Sequence, residues 1–328
     1  MDNLTHTAVG LFLGRAGLNR WTPRATAILI LAANAPDFDA VSGFWGPLTY
    51  LQYHRHLTHS FIAMPVVAIL CVLAVRAFSR KPVAWAGAFF AALIGVFSHL
   101  LLDYTNGYGI RLLLPFSTRF YRLEWTAVID VWIWAALFVG LAAPFLSRLV
   151  SSEITSSAAR SRYPGRGWPI FALLFVLLYN CARGAIHARA VDELQSRIYN
   201  DAEPLRAAAV PNAYNPLKWR GVVDTKGFFA VTDIDLARQF NPERAQLLYK
   251  SDYAPAMDAA KRTETFQVFL NFAEFPAWSV APDPKLEGGK VVTATEVRYE
   301  GWSAKALEDA QNHVLRSWFQ FGVLVEPR

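Results

Sequence analysis

From Val83 to Leu102 the chain runs for twenty residues without one Asp, Glu, Lys or Arg. A helix of that length matches the ~30 Å hydrocarbon core of a bilayer. A helix also satisfies its own backbone groups, which a spanning segment in lipid must do. Three more apolar segments surround it. Phe61–Phe78 is broken only by Arg76, and Val131–Ser147 and Gly167–Ala182 carry no charge. With flanking residues each approaches spanning length. Trp85, Trp125, Trp132, Trp134 and Trp168 stand near segment ends, where interfacial aromatics belong. The chain therefore reads as mainly α, a membrane helical bundle of about four transmembrane helices. A shorter apolar run, residues 25–36, is too brief to span and predicts a packed or re-entrant helix. Residues 1–10 carry Asp2 and His6 and lack the apolar core of a secretory signal.

Past residue 190 the texture changes. Alternating patterns at Lys218–Asp224, Phe228–Asp233 and Val291–Tyr299 predict strands, and Asp224-Thr-Lys-Gly227 predicts a turn. Ala304–Phe319 predicts an amphipathic helix, and the Ser/Arg-rich stretch 151–167 a loop. Residues 191–328 are thus expected to form a soluble α+β domain beside a membrane domain at 1–190. Charge divides at the same place. Residues 1–190 hold 16 Lys/Arg against 7 Asp/Glu, and the remainder hold 16 against 19. The basic excess flanks apolar segments, as membrane-facing charge does, so the lipid bilayer is the expected partner and no specific nucleic-acid binding is expected. The two cysteines, Cys71 and Cys181, both lie in apolar runs and form no CxxC pair.

Acids are scarce in the first 190 residues, yet Asp37, Asp39, Asp103 and Asp130 lie in or beside apolar segments, and five of the seven histidines precede residue 104. A carboxylate at such a position is costly unless paired, hydrated or bound to a cation. His99-Leu-Leu-Leu-Asp103 places an imidazole and a carboxylate on one helix face, as two ligands to one metal or as a hydrogen-bonded cap. Asn34-Ala-Pro-Asp37-Phe-Asp39 breaks a helix and offers two carboxylates, or a turn with a capping Asp. His54-Arg55-His56-Leu-Thr-His59 sets three histidines before a membrane helix. His6 taken singly carries little. Asp130 fits a ligand, a partner that orients a histidine, or a helix cap.

An up-down bundle brings these motifs to one membrane face. His54–His59 start one helix, His99 and Asp103 end the next, and Asp130 precedes the third. Neutral imidazoles with carboxylates and no cysteine suit a divalent metal, zinc first, with manganese or iron as alternatives. Such an ion makes hydroxide from water near neutral pH. Asp39 or His54 could act as base, and Arg55 could neutralise a substrate phosphate or contact lipid headgroups.

Leu4-Thr-His6…Gly10, Asn34-x-Pro-Asp37-x-Asp39, His54-Arg-x-x-Thr-His59-Ser60 and His99-x-x-x-Asp103 together resemble the YdjM/YbcI-like family of membrane-bound metal-dependent hydrolases, over about residues 1–190. The order His, Asp, His, HxxxD is in turn similar to the zinc phospholipase C and single-strand nuclease superfamily. That resemblance implies His6, Asp37, His59, His99 and Asp103 as metal ligands, phosphodiester substrates, and a place in the bacterial inner membrane. No HxxxE follows residue 103 and no processed N-terminal amine is expected among the ligands, so one or two ions are expected rather than three.

Two functions follow. The first is a hydrolase of a phosphoester or phospholipid-like, amphiphilic substrate, with Asp39, His54, Arg55 and Asp130 as the catalytic candidates. The second is a non-catalytic, metal-stabilised scaffold or sensor. A transporter is disfavoured, because all the ionisable groups gather at one face. The short stretches 79–82 and 148–167, with Arg76, concentrate seven Lys/Arg. By the positive-inside rule they are cytoplasmic, and the site and C-terminal domain then face the extracytoplasmic side.

Overall fold

The architecture was taken from a computed structural model, which describes residues 1–79, 82–154, 165–251, 254–283, 286–299 and 320–325. The chain divides into two compact units. One comprises Met1–Ala40, Arg55–Ile186 and Ala213–Pro216, and the other Val41–His54, His187–Asn212 and Leu217–Arg328.

The first unit is helical. α1 (Asn3–Ala16) starts where Asp2 accepts hydrogen bonds from the amides of Leu4 and Thr5, and it ends at Gly17, whose φ of 148° no side chain tolerates well. α2 (Ala25–Asn34) packs against α1 and against α5 (Trp85–Tyr104), and α4 (Met64–Ala77) packs on α5. Small residues set these approaches. A Cβ at Gly10 would lie 2.8 Å from the Leu29 carbonyl oxygen, and one at Gly95 would lie 2.8 Å from Ala32 Cβ. Helices in lipid gain no hydrophobic drive toward each other, so close backbone packing through glycine and alanine is what holds them. α6 (Val131–Ile154) and α7 (Gly167–Gln195) complete the bundle. Phe171, Leu174, Leu177 and Leu178 on α7, and Phe90, Phe97 and Leu101 on α5, are exposed. Apolar surface of that extent belongs in hydrocarbon.

By length and composition, Ala25–Trp45, Trp85–Tyr104 and Gly167–Gln195 are each able to cross a membrane. Among the described residues, a fourth span exists only if Pro47–His59 and Met64–Ala77 count as one, and these are bent by 86°. The apolar segment read as Phe61–Phe78 is therefore helical only from Met64, after Pro47–Tyr53 (α3) and a short 3-10 turn. Its 14 residues rise about 21 Å, too little to span unaided. The run at 25–36, expected to stop short, instead continues as a 3-10 helix over Ala35–Trp45. Pro36 removes a backbone donor, and the chain tightens rather than stopping. Val131–Ser147 is a shorter apolar helix within α6, which runs on to Ile154 in the segment expected to be a loop.

The second unit holds two antiparallel sheets. β1 (Arg206–Pro211), β2 (Lys218–Asp224), β3 (Phe228–Asp235) and β4 (Gln246–Tyr249) are ordered 1-2-3-4, and β5 (Pro276–Pro282), β6 (Lys290–Glu296) and β7 (Gln320–Val325) are ordered 5-6-7. The expected strands at 218–224 and 228–233 are present, and Thr225 closes their turn by donating its hydroxyl to the Phe228 carbonyl at 2.8 Å. α8 (Ala254–Lys261) and α9 (Glu264–Phe272) pack on the second sheet, α9 through buried Phe266, Phe269 and Phe272. α3 packs against α9, which places it in this unit. The expected helix Ala304–Phe319 lies outside the described residues.

Candidate metal centre

Three elements of the first unit deliver the four donors. Asp37 comes from the 3-10 segment after α2, His59 from the turn before α4, and His99 and Asp103 from the last turns of α5. His59 Nε2 lies 3.1 Å from His99 Nε2, and 3.5 Å from both Asp37 Oδ1 and Asp103 Oδ2. His99 Nε2 lies 3.6 Å from each of the same two oxygens. All four atoms fall within 4.8 Å of one another. A tetrahedral ion with ligand bonds of about 2.0–2.2 Å requires ligand separations of about 3.3–3.6 Å. Five of the six separations, 3.1–3.6 Å, lie close to that range, so the four atoms could hold a metal ion.

Hydrogen bonding on the far side of each ring agrees. His99 Nδ1 is 2.7 Å from the Ala33 carbonyl, which accepts only from an N–H. The Nε2 lone pair of neutral His99 is then free toward the cage. His59 Nδ1 is 3.2 Å from Asp39 Oδ2 and 3.1 Å from Thr58 Oγ1. Donation to Asp39 leaves a lone pair on His59 Nε2 as well. Without an ion, one proton held between the two nitrogens 3.1 Å apart satisfies both; with one, both lone pairs and the two carboxylates could ligate it. Asp37 Oδ1 is buried without a hydrogen bond, as are both ring nitrogens of His6. The donor set fits a divalent ion such as zinc.

His6 is reached from α1. Its ring stacks on His99 at 3.9 Å, and its Nε2 stands 3.4 Å from Asp103 Oδ1. Burial holds its imidazole below the ordinary pKa, with Asp103 opposing, so it is neutral at pH 7. His6 is thus adjacent to the four-donor cage rather than one of its closest atoms.

Asp39, proposed from sequence as a base, has a different set of contacts. Its Oδ2 accepts from the Arg55 amide at 2.9 Å and the Thr58 hydroxyl at 2.5 Å, besides facing His59 Nδ1. It is placed to orient His59, as carboxylates behind metal-bound histidines do. Arg55 sits in the left-handed region at φ 56°, a strained conformation for a side-chain-bearing residue. Its guanidinium reaches Asp103 Oδ2 at 3.0 Å and Asn106 Oδ1 at 3.0 Å. His54 ends α3, stacked on Tyr50 at 4.4 Å, and belongs to the second unit. Asp130 is not gathered into the cage. Its Oδ1 caps α6 by accepting from the Trp132 and Ile133 amides, and its Oδ2 accepts from the Tyr179 hydroxyl. Burial raises its carboxyl pKa.

Two groups escaped the sequence reading. The Met1 α-amino group contacts Asp103, and burial lowers its pKa. Asn106 donates to Asp103 Oδ1 at 3.3 Å while accepting from Arg55. Its place three residues after Asp103, at the end of the same helix, was the available signal.

Residues 1–190 match the YdjM inner membrane protein family. The chain belongs to that family. It is similar to the uncharacterized protein YfhP of Bacillus subtilis, with 25% identity over 304 residues, covering 85% of this chain and 82% of that one. It is also similar to the inner membrane protein YbcI of Escherichia coli, with 32% identity over 129 residues, covering 38% of this chain and 73% of that one. No solved structure matches. The family and the candidate spans together support a bacterial inner membrane location.

Proposed function

We propose that the protein is a membrane-embedded, metal-dependent hydrolase that cleaves a phosphoester in an amphiphilic substrate. The observation that carries this reading is the cage formed by His59 Nε2, His99 Nε2, Asp37 Oδ1 and Asp103 Oδ2. When bound there, a divalent ion, zinc by the donor set, supplies Lewis acidity that polarises a phosphoryl oxygen and acidifies a water molecule. The chain's own groups then divide the remaining work. Asp39 and the Ala33 carbonyl keep the two histidines in the ligating tautomer. His6, neutral and without a hydrogen bond, can take up a proton beside Asp103. Arg55 can exchange its contact with Asp103 for a substrate phosphate, which it matches in charge and fork geometry. Buried donors at the end of a spanning helix favour a substrate that is itself at home in the membrane. We place the site on the extracytoplasmic face, on the strength of the basic stretches 79–82 and 148–167. A reporter at Arg328 that is active only in the cytoplasm would reverse that assignment.

A second reading, a metal-stabilised scaffold or sensor without catalysis, is favoured by one feature. Asp103 already meets the Arg55 guanidinium and the Met1 amino group, a saturation that suits a structural tie. Metal content and hydrolysis of a phosphodiester panel, measured on wild type and His99→Ala, separate the two. The hydrolytic reading expects stoichiometric metal and activity, both lost in His99→Ala. Bound metal with no turnover across the panel selects the scaffold.

A further inference from the structure

Beside the metal centre, α1, α5 and α7 enclose a cavity of about 300 Å³ whose wall is almost wholly apolar. It is lined by Val9 and Leu13 of α1, by α5 from Ser98 to Leu102 with its cap Thr105, by Trp125, and by Leu173 to Cys181 of α7. It begins one helical turn from His6, since Val9 shares the His6 face of α1, and Leu102 of its wall adjoins Asp103. The lining runs seven residues along α5 and its cap, and eight along α7. That is about 10–12 Å of helix, a third of the hydrocarbon thickness. An apolar cavity of about half this volume already takes up an aromatic hydrocarbon rather than water.

Among the wall's hydroxyl and amide groups, every atom but one has a partner. Ser98 Oγ donates to the Gly95 carbonyl at 2.8 Å, and Thr105 Oγ1 donates to the Leu102 carbonyl at 2.7 Å. Asn180 Nδ2 donates to the Val176 carbonyl at 2.8 Å, but Asn180 Oδ1 has no partner although the residue is only 6% exposed. A buried acceptor in hydrocarbon is costly until a donor reaches it. The α5 and α7 walls belong to candidate spans with exposed leucines at Leu101 and Leu177, so the medium around the cavity is lipid.

We propose that this groove is a lipid site. It takes the hydrocarbon chain of a membrane amphiphile that carries a hydroxyl, which donates to Asn180 Oδ1 while the chain lies between α1, α5 and α7. Under the hydrolytic reading it is the subsite for the substrate's apolar part, and the word substrate rests on that reading. Chain binding does not.

The test uses the full chain in nanodiscs, with a long-chain alcohol bearing a photoactivatable diazirine and the matching alkane as probes. In wild type, labelling concentrates on peptides 98–105 and 173–181 and favours the alcohol by about fivefold, the worth of one hydrogen bond. Leu177→Trp, which fills the groove, removes the labelling, whereas Leu177→Ala, which enlarges it, preserves it. Asn180→Leu keeps the labelling and abolishes the preference for alcohol. Labelling spread evenly over the lipid-facing helices, or unchanged in Leu177→Trp, overturns the proposal, as does an alcohol preference that survives Asn180→Leu. Metal content and phosphodiester turnover are read on the same samples. Focused labelling without turnover upholds the groove and removes the hydrolase. Turnover with even labelling removes the groove and leaves the hydrolase.

Discussion

Asp39→Ala tests whether this carboxylate orients a metal ligand or acts on substrate. In the structure its Oδ2 faces His59 Nδ1 at 3.2 Å and holds the Arg55 amide and the Thr58 hydroxyl. Loss of a partner behind a ligating histidine weakens metal affinity by about 10–100-fold. At a free metal concentration one hundred times the wild-type Kd, binding stabilises the fold by about 2.7 kcal/mol. With Kd raised by those factors, the same metal concentration gives only about 0.4–1.4 kcal/mol. The variant also loses stability without metal, because the Arg55 amide is left without its acceptor, at about 1–3 kcal/mol. The difference between metal-loaded and chelated samples cancels that second cost. Melting in detergent with zinc and with chelator therefore reads the orienting effect, and competition with a chromogenic chelator gives Kd itself. Asp39→Asn, which keeps an acceptor for the Nδ1 proton, should fall between wild type and alanine. Wild-type metal affinity in Asp39→Ala, with hydrolysis abolished, would refute the orienting role and return Asp39 to the position of base.

Three other outcomes are expected. Gly95→Ala drives a methyl to 2.8 Å from Ala32 and 3.0 Å from the Leu29 carbonyl. It should cost about 1–3 kcal/mol by melting in detergent and weaken metal binding too, since α2 carries the carbonyl that holds His99; unchanged values for both would contradict the tight α2–α5 crossing. Asp130→Ala removes the α6 cap and should cost about 0.5–2 kcal/mol with metal content intact. The Asp130 carboxyl pKa is raised in the folded state. The folded protein therefore binds that proton more tightly than the unfolded chain does. This group's contribution to stability is present below the ordinary carboxylate range, and it declines as pH rises toward the folded pKa. Stability curves should be flatter there in Asp130→Asn, and an identical slope counts against the shift. Glu296 receives Arg298 Nε at 2.9 Å, both side chains being fully buried. Glu296→Ala strands that guanidinium and should cost the second unit about 3–5 kcal/mol, measured by limited proteolysis, without loss of bound metal. Metal lost in parallel would overturn the expected independence.

How much of this was legible beforehand follows from what kind of information each feature needs. The donors were nameable because acids are rare in the first 190 residues, and a carboxylate in an apolar segment stands out. Residue type and spacing alone left their roles open, and only the resemblance set Asp37 apart from Asp39. Asp37 and Asp39 are two residues apart, and only the tight 3-10 path after Pro36 sends one toward the cage and the other behind His59. Asp130 was read as a ligand, a histidine's partner or a helix cap, and the first-turn amides of α6 take its carboxylate as a cap. The Met1 amine and Asn106 were missed because their roles consist of tertiary contacts, with Asp103 and, for Asn106, with Arg55.

Helical membrane character was determined by the sequence itself, because a hydrocarbon slab imposes length and excludes charge residue by residue, and both are read directly from the chain. So were the alternating strands around Asp224–Gly227, whose period of two is local. Which donors converge, which tautomers they hold and where a hydrocarbon cavity opens were decided only by tertiary structure. These depend on how closely α1, α2, α5 and α7 approach one another. The approaches of α1 to α2 and of α2 to α5 are set by Gly10 and Gly95 meeting Leu29, Ala32 and their neighbours, where single methyl groups decide distances of a few ångströms.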